Sequence, residues 1–169
     1  VMHFKTADLC DKFSDALQIC EPGFIGFGAL TRFAGQISTI KCFEDNSLVR
    51  EAVGEPGLGR VLVVDAGGSR RCAMLGDLLA AKAVDNGWSG VLLNGMIRDS
   101  VDIGAMPIGV MALGTHPLKS VKKGVGERDV PVRFGGVEFV PGAYLYADED
   151  GILCSPAELT IGTGGAVSM

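Results

Sequence analysis

Gly76-Asp77-Leu78-Leu79-Ala80-Ala81-Lys82-Ala83-Val84-Asp85-Asn86-Gly87-Trp88-Ser89-Gly90-Val91-Leu92-Leu93-Asn94-Gly95-Met96-Ile97-Arg98-Asp99 is the stretch on which the fold turns. Its first half carries Leu78, Leu79, Ala81, Ala83 and Val84 between a Gly-Asp start and an Asn86-Gly87 stop, which predicts a helix with a glycine C-cap. Its second half, Gly90 to Gly95, is a continuous apolar run of the kind found in strands buried on both faces. Val61-Leu62-Val63-Val64-Asp65 upstream has the same character and empties into Ala66-Gly67-Gly68-Ser69. Strand, loop, helix, strand predicts a right-handed crossover with parallel strands, whose carboxyl ends carry the functional loops.

Working outward, Thr6 to Leu17 predicts a short amphipathic helix with Thr6 as N-cap and Leu9, Cys10, Phe13 and Leu17 on one side. Glu21-Pro22-Gly23 breaks the chain. Phe33 to Phe43 reads as a strand, Asp45 or Asn46 as the cap of a helix through Val53, and Gly54 to Gly59 as a loop. Beyond Asp99 the pattern changes to short β candidates at Ile108–Leu113, Val130–Phe134, Val137–Val140, Tyr144–Ala147 and Gly151–Cys154, with Gly135-Gly136 as a hairpin turn. The sum is a mixed α/β chain, expected to form a single domain over residues 1–169.

Composition narrows the function classes. No segment approaches the roughly 20 apolar residues of a membrane span. A net charge of -5 argues against binding nucleic acid, which needs basic patches to displace counterions. The one basic cluster, Lys119, Lys122 and Lys123, reads as a solvated turn or an interface rim. Five cysteines without a Cys-x-x-Cys pair disfavour a zinc site or a disulfide framework, leaving reduced and mostly buried thiols. The first residues carry neither a long apolar run nor an Arg-rich pattern, so a cytoplasmic location is expected.

Two places carry chemistry. At the start of the Gly76–Asn86 helix, the amides of Asp77, Leu78 and Leu79 point out of the first turn, where the helix dipole favours a carboxylate or phosphate; Gly76 lets a ligand approach. Arg98-Asp99, at the exit of the second buried strand, offers a donor for a carbonyl or enolate oxygen and a hard oxygen ligand for Mg²⁺ or Mn²⁺. Asp77 and Asp102 are further acids able to hold waters around such an ion. The Asp65–Ser69 loop lacks the Walker lysine pattern and the Gly-x-Gly-x-x-Gly run, and is expected to line the same crevice, with Ser69 and Arg70 as substrate contacts. His116 reads as structural or as part of a subunit contact, and no Gly-x-Ser-x-Gly elbow supports a hydrolase.

Asp77, twenty intervening residues, then Arg98-Asp99 with Asp102 close behind, resembles the Asp-x20-Arg-Asp signature of class II pyruvate aldolases that cleave 4-hydroxy-4-methyl-2-oxoglutarate. These belong to the RraA-like superfamily, which also holds the regulator of ribonuclease E activity A. The likeness extends over Phe33–Thr39, Lys41–Asn46, Val61–Asp65, Gly124–Glu127 and Tyr146–Asp148. It implies a three-layer β/β/α swivelling-type fold and a homotrimer, in some members paired into a hexamer, with sites near subunit boundaries. By position, the amides of Gly76, Asp77, Leu78 and Leu79 would hold the carboxylate of a small 2-oxo acid, Arg98 its keto oxygen, and Asp99 the divalent metal. Asp77 or Asp102 would position proton transfer. The implied activity is retro-aldol cleavage to pyruvate, with oxaloacetate decarboxylation as a side reaction.

Two competing readings come from other classes. One is a non-catalytic inhibitor of a ribonuclease E-type partner; the regulatory branch departs from the Arg-Asp pair, whereas this sequence keeps it. The other is a demethylmenaquinone methyltransferase, a label used within the superfamily, against which stands the small extent of any methyl-donor fold before Asp65-Ala66-Gly67-Gly68. A Schiff-base aldolase through Lys82 is disfavoured, because a solvated helical lysine stays protonated.

Overall fold

The computed structural model describes residues 3–160. Its centre is the crossover that the buried runs predict: β4 (Val61–Asp65), β5 (Ala73–Leu75), α3 (Asp77–Asp85) and β6 (Gly90–Ile97). Before it come α1 (Thr6–Phe13), a 3-10 turn (Ser14–Ala16), β1 (Gln18–Ile19), β2 (Ile25–Gly26), β3 (Phe33–Lys41) and α2 (Ser47–Val53). After it come α4 (Ser100–Ile103), β7 (Gly109–Thr115), β8 (Glu127–Arg128), β9 (Val132–Phe134), β10 (Val137–Phe139), β11 (Tyr144–Asp148) and β12 (Gly151–Ser155).

Strands β3, β4, β6 and β7 run parallel in that order. Antiparallel strands β11, β12 and β1 continue the sheet beyond β3, and β2 closes the β7 edge. Side chains alternate along each strand, and that alternation builds the layers. Leu62, Val64, Val91 and Leu93 pack with Val49 and Ala52 of α2, Ala80 and Ala83 of α3, and Ile103 of α4. Val61, Val63 and Leu92 face the other way, onto Val132, Val137 and Phe139 of the separate β9–β10 hairpin. Helices, main sheet and hairpin are therefore the three layers of the β/β/α arrangement. Gly90 and Gly109 lie side by side under the Phe33 ring; a methyl at either would overlap it, so both strands need glycine there.

Several local expectations are corrected. Thr6 does not cap α1: Lys5 stands at the cap position, and the Thr6 amide and Oγ1 donate to the buried Asp148 carboxylate at 2.8 and 2.6 Å. The helix ends at Phe13 and leaves Leu17 outside it. Of the two cap candidates for α2, Asn46 stands at the cap position without a side-chain cap bond, while the preceding Asp45 turns the chain into the helix, its Oδ1 accepting from the Ser47 amide at 2.9 Å and the Ser47 hydroxyl at 2.6 Å. Gly135 and Gly136 both have positive φ, as a tight hairpin turn requires. The five cysteines are free thiols, four of them buried.

Candidate active site

At the carboxyl ends of the parallel strands, the exit of β6 meets the start of α3. Leu75 closes β5, and its carbonyl accepts from the Arg98 amide at 2.9 Å, so the helix start and the Arg-Asp pair are tied through the backbone. Asp99 then takes a left-handed conformation, φ 57° and ψ 41°, which costs a non-glycine residue about 1 kcal/mol but turns the chain sharply from β6 into α4. Its Oδ2 accepts from the Asp77 amide at 3.0 Å. A methyl placed on Gly76 would stand 2.9 Å from Asp99 Oδ2 and 3.4 Å from Arg98 Nε, so Gly76, Arg98 and Asp99 are immediate neighbours.

This junction opens into a cleft of about 560 Å³ lined by Gly76, Asp77, Leu78, Leu79 and Arg98, and by Asn46, Arg50, Lys82, Asp85, Lys119 and Lys122 among others. The first-turn amides are partitioned more finely than the sequence suggests. Asp77 gives its amide to Asp99, and Leu78 gives its amide to Asp77 Oδ1 at 2.8 Å. Among the described residues neither the Gly76 nor the Leu79 amide has an acceptor, so these two are the donors left for an incoming carboxylate. The half-buried Arg98 makes only a long contact to the Pro117 carbonyl, 3.4 Å from Nη1, and no ion pair among the described residues. Its donors are available to a ligand oxygen.

Asp102 stands apart: it is exposed on α4 and does not line the cleft. Ser69 and Arg70 do not line it either. The Ser69 hydroxyl donates to Glu44 at 2.6 Å, beside Arg71 on the same carboxylate, and Asp65 holds the Gly67 amide and Asn94 at 3.0 Å each, so this loop is closed on itself. His116 accepts from the Leu118 amide at 3.1 Å in a structural turn.

The lysines Lys119, Lys122 and Lys123 are exposed, as a solvated turn requires, and the structure adds that two of them border the cleft. Lys119 and Lys122 reach the cleft because Ala73 bonds the Leu118 carbonyl at 2.7 Å and Asn46 bonds the Val121 carbonyl at 3.2 Å, contacts between segments far apart in the chain. Asn46, at the cap position of α2, is buried; its Nδ2 donates to the Met74 carbonyl at 3.2 Å, and its Oδ1 has no donor among the described residues.

The donor set can be weighed against a divalent cation. Among the described residues no three His, Cys, Asp or Glu side chains group closely enough to enclose an ion. That is unlike zinc and compatible with Mg²⁺ or Mn²⁺, which keep several waters and need few protein carboxylates. Asp99 is not among the residues that line the cleft but stands behind Gly76 at its edge; half-exposed, with Oδ2 on an amide and Oδ1 without a partner among the described residues, it has the donor such an ion needs.

Comparison with known proteins agrees with this architecture. Residues 6–154 match the family model described as RraA-like, Aldolase/RraA. A protein of Laribacter hongkongensis, provisionally named 4-hydroxy-4-methyl-2-oxoglutarate aldolase, is 64% identical, with 94% of this chain and 99% of the relative covered. A protein of Dechloromonas aromatica with the same provisional name is 58% identical over 94% of this chain and all of the relative. Among solved structures, the RNA-processing inhibitor RraA from Thermus thermophilis superposes with a TM-score of 0.90 at 45% identity, covering 95% of this chain and 97% of that one. A Geobacillus kaustophilus protein described as an S-adenosylmethionine: 2-dimethylmenaquinone methyltransferase superposes with a TM-score of 0.89 at 57% identity, over 92% and 96% of the two chains.

Proposed function

The chain belongs to the RraA-like, Aldolase/RraA family, and from that premise we propose that it is a lyase cleaving 4-hydroxy-2-oxo acids of the 4-hydroxy-4-methyl-2-oxoglutarate type to pyruvate. The observation that carries this reading is the meeting of Arg98, free of any ion pair among the described residues, with the unpartnered Gly76 and Leu79 amides in one cleft. The two amides bind the C1 carboxylate at the positive end of α3. Arg98 donates to the C2 keto oxygen, and its charge stabilises the enolate that forms when the C3–C4 bond breaks and its electron pair moves onto the pyruvate half. Asp77, the acid of the cleft beside those amides, positions a water that takes the C4 hydroxyl proton as the C4 carbonyl forms, and a proton returned from water to C3 of the enolate completes pyruvate. Mg²⁺ or Mn²⁺ held by Asp99 would supply Lewis-acid polarisation of the keto group. The same enolate stabilisation supports decarboxylation of oxaloacetate.

Pyruvate release, followed by coupled lactate dehydrogenase, tests the reading. EDTA treatment and Asp99→Ala should each lower the rate by about 100-fold or more; full activity after both would refute metal-assisted cleavage. Leu78 and Val101, 78% and 87% exposed at the cleft mouth and on the adjacent α4, are apolar surface suited to a neighbouring subunit, which supports the homotrimer. Light scattering would return the mass.

The likeness to the Thermus RNA-processing inhibitor favours one second reading, a protein contact with a ribonuclease E-type endonuclease. Arg98→Ala separates the two: pyruvate release should fall, whereas inhibition of the endonuclease through another surface would survive. For the methyltransferase description of the Geobacillus neighbour, titration calorimetry with S-adenosylmethionine is the direct check, and no binding is expected.

A further inference from the structure

The amino ends of the parallel strands carry a second hollow, about 590 Å³ in volume and as large as the cleft at their carboxyl ends. The eight residues of β6 run between the two, a span of roughly 26 Å. Phe33 at the start of β3 and Trp88 ahead of β6 border the hollow, with Leu30 and Pro107 as further apolar walls. The lyase chemistry at the Arg98 end makes no use of it.

Its walls are fixed in advance. The Phe33 ring rests on Gly90 and Gly109, where any side chain would overlap it. Trp88 is held from three sides: its Nε1 donates to the Glu55 carbonyl at 3.2 Å, a methyl on Gly57 would stand only 2.6 Å from its ring, and the Arg60 guanidinium lies 4.7 Å from the ring centroid. The loop that carries Leu30 is tied down by the Ala29 amide on the Met106 carbonyl at 3.0 Å and the Leu30 amide on the Ile108 carbonyl at 3.3 Å. A preformed apolar hollow pays little ordering cost when a small molecule enters it. Its charge has one sign: Arg32 and His3 line it, and no carboxylate does. The Thr31 and Ser89 hydroxyls also line it but donate to Glu149 at 3.2 Å and to the Gly59 carbonyl at 2.7 Å, so the donors left for an anion are the guanidinium and the imidazole. Arg32 has one acid in reach, Glu149 at 3.9 Å, and a pair that long between exposed side chains holds it weakly. In a protein of net charge -5 this acid-free lining is a local exception.

We propose that this hollow is a second ligand site, which takes a small aromatic carboxylate with its ring against Trp88, Phe33 and Leu30 and its carboxylate on Arg32. The ring supplies the flat apolar surface that two aromatic walls accept, and the carboxylate matches the guanidinium fork. An aliphatic acid meets the charge without the walls, and a neutral aromatic the walls without the charge. The site stands independently of the lyase reading, because it shares no residue with the Arg98 cleft.

Trp88 is the only tryptophan in the sequence, so its emission reports on the hollow directly. Titration with benzoate should change that emission saturably, with acetate and benzyl alcohol each binding about tenfold or more weakly, for want of the ring and of the charge-assisted contact respectively. Arg32 is exposed, so Arg32→Ala should keep the fold by circular dichroism while weakening benzoate about tenfold or more. Arg32→Lys should keep part of the affinity, since it retains the charge and loses the fork. Arg98→Ala should leave benzoate binding unchanged, which separates this site from the keto-acid cleft. The absence of a saturable change, benzyl alcohol binding as tightly as benzoate, or benzoate affinity that survives Arg32→Ala overturns the proposal. Loss of benzoate binding in Arg98→Ala overturns it as well, by assigning the ligand to the cleft.

Discussion

Gly76 is the residue at which the helix start, the arginine and the metal-type carboxylate touch. Its φ of -121° and ψ of -169° are extended backbone that any residue adopts, so a side chain there meets no conformational penalty. What it meets is Asp99 Oδ2 at 2.9 Å and Arg98 Nε at 3.4 Å. Both are ends of side chains that can give way, so Gly76→Ala should fold with little change in thermal midpoint. Displacing two site groups by a fraction of an ångström is a different matter for chemistry, where misplacement on the order of 1 Å costs about 100-fold. A fall of about 10- to 100-fold in kcat/KM for pyruvate release is expected, with the melting curve as control. An unchanged rate would mean that Arg98 and Asp99 act without fixed positions.

Between elements, Asp45 has the comparable role. The residue is 3% exposed, and burial by itself pushes its carboxyl pKa up. Hydrogen bonds from the Ser47 hydroxyl and amide and from the Val125 and Lys123 amides outweigh that and hold it at about 2. Since the folded value lies below the ordinary value near 4, the ionised group stabilises the fold fully above about pH 4, and that contribution is lost as pH falls towards 2. It is on the order of 2 kcal/mol. Asp45→Asn should cost about that much in urea unfolding at pH 7, and the gap from wild type should narrow at pH 3 and below; a gap independent of pH would assign the effect to packing instead. Asp45 also marks where the sequence stops being legible. The β4 and β6 runs announce themselves because strands buried on both faces need unbroken apolar residues, and the α3 stop is written in Asn86-Gly87. The Gly76–Leu79 and Arg98 cleft follows from that crossover. Two- and three-residue strands such as β2, β5 and β8 carry too few positions for a period. Thr6 reads as a cap from local sequence because its true partner, Asp148, lies 142 residues away. That the exposed Lys119 and Lys122 also border the cleft is not legible, because the pairing of Lys119 with Ala73 leaves no local pattern.

Across the whole molecule, the distribution of charge matters more than its sum. An acidic protein of net charge -5 should repel a dianionic substrate at long range, yet the five cleft cations present a local field of the opposite sign. The Debye length decides which is felt: about 30 Å at 0.01 M salt, where the whole surface acts, about 8 Å at 0.15 M, and about 3 Å at 1 M, where even the cleft is screened. Raising salt from very low values should therefore first relieve the repulsion and then weaken the attraction. For a dianionic 4-hydroxy-2-oxo acid, kcat/KM should rise or stay level to about 0.1 M KCl and then fall several-fold by 1 M. The kcat, read at saturation, should change little, because the substrate is then already seated against Arg98. Arg50→Ala/Lys122→Ala should flatten the falling limb and leave the low-salt limb in place, because the acidic surface is untouched. A falling limb of equal steepness in that variant would assign the salt response to Arg98 and the helix start instead of Arg50 and Lys122.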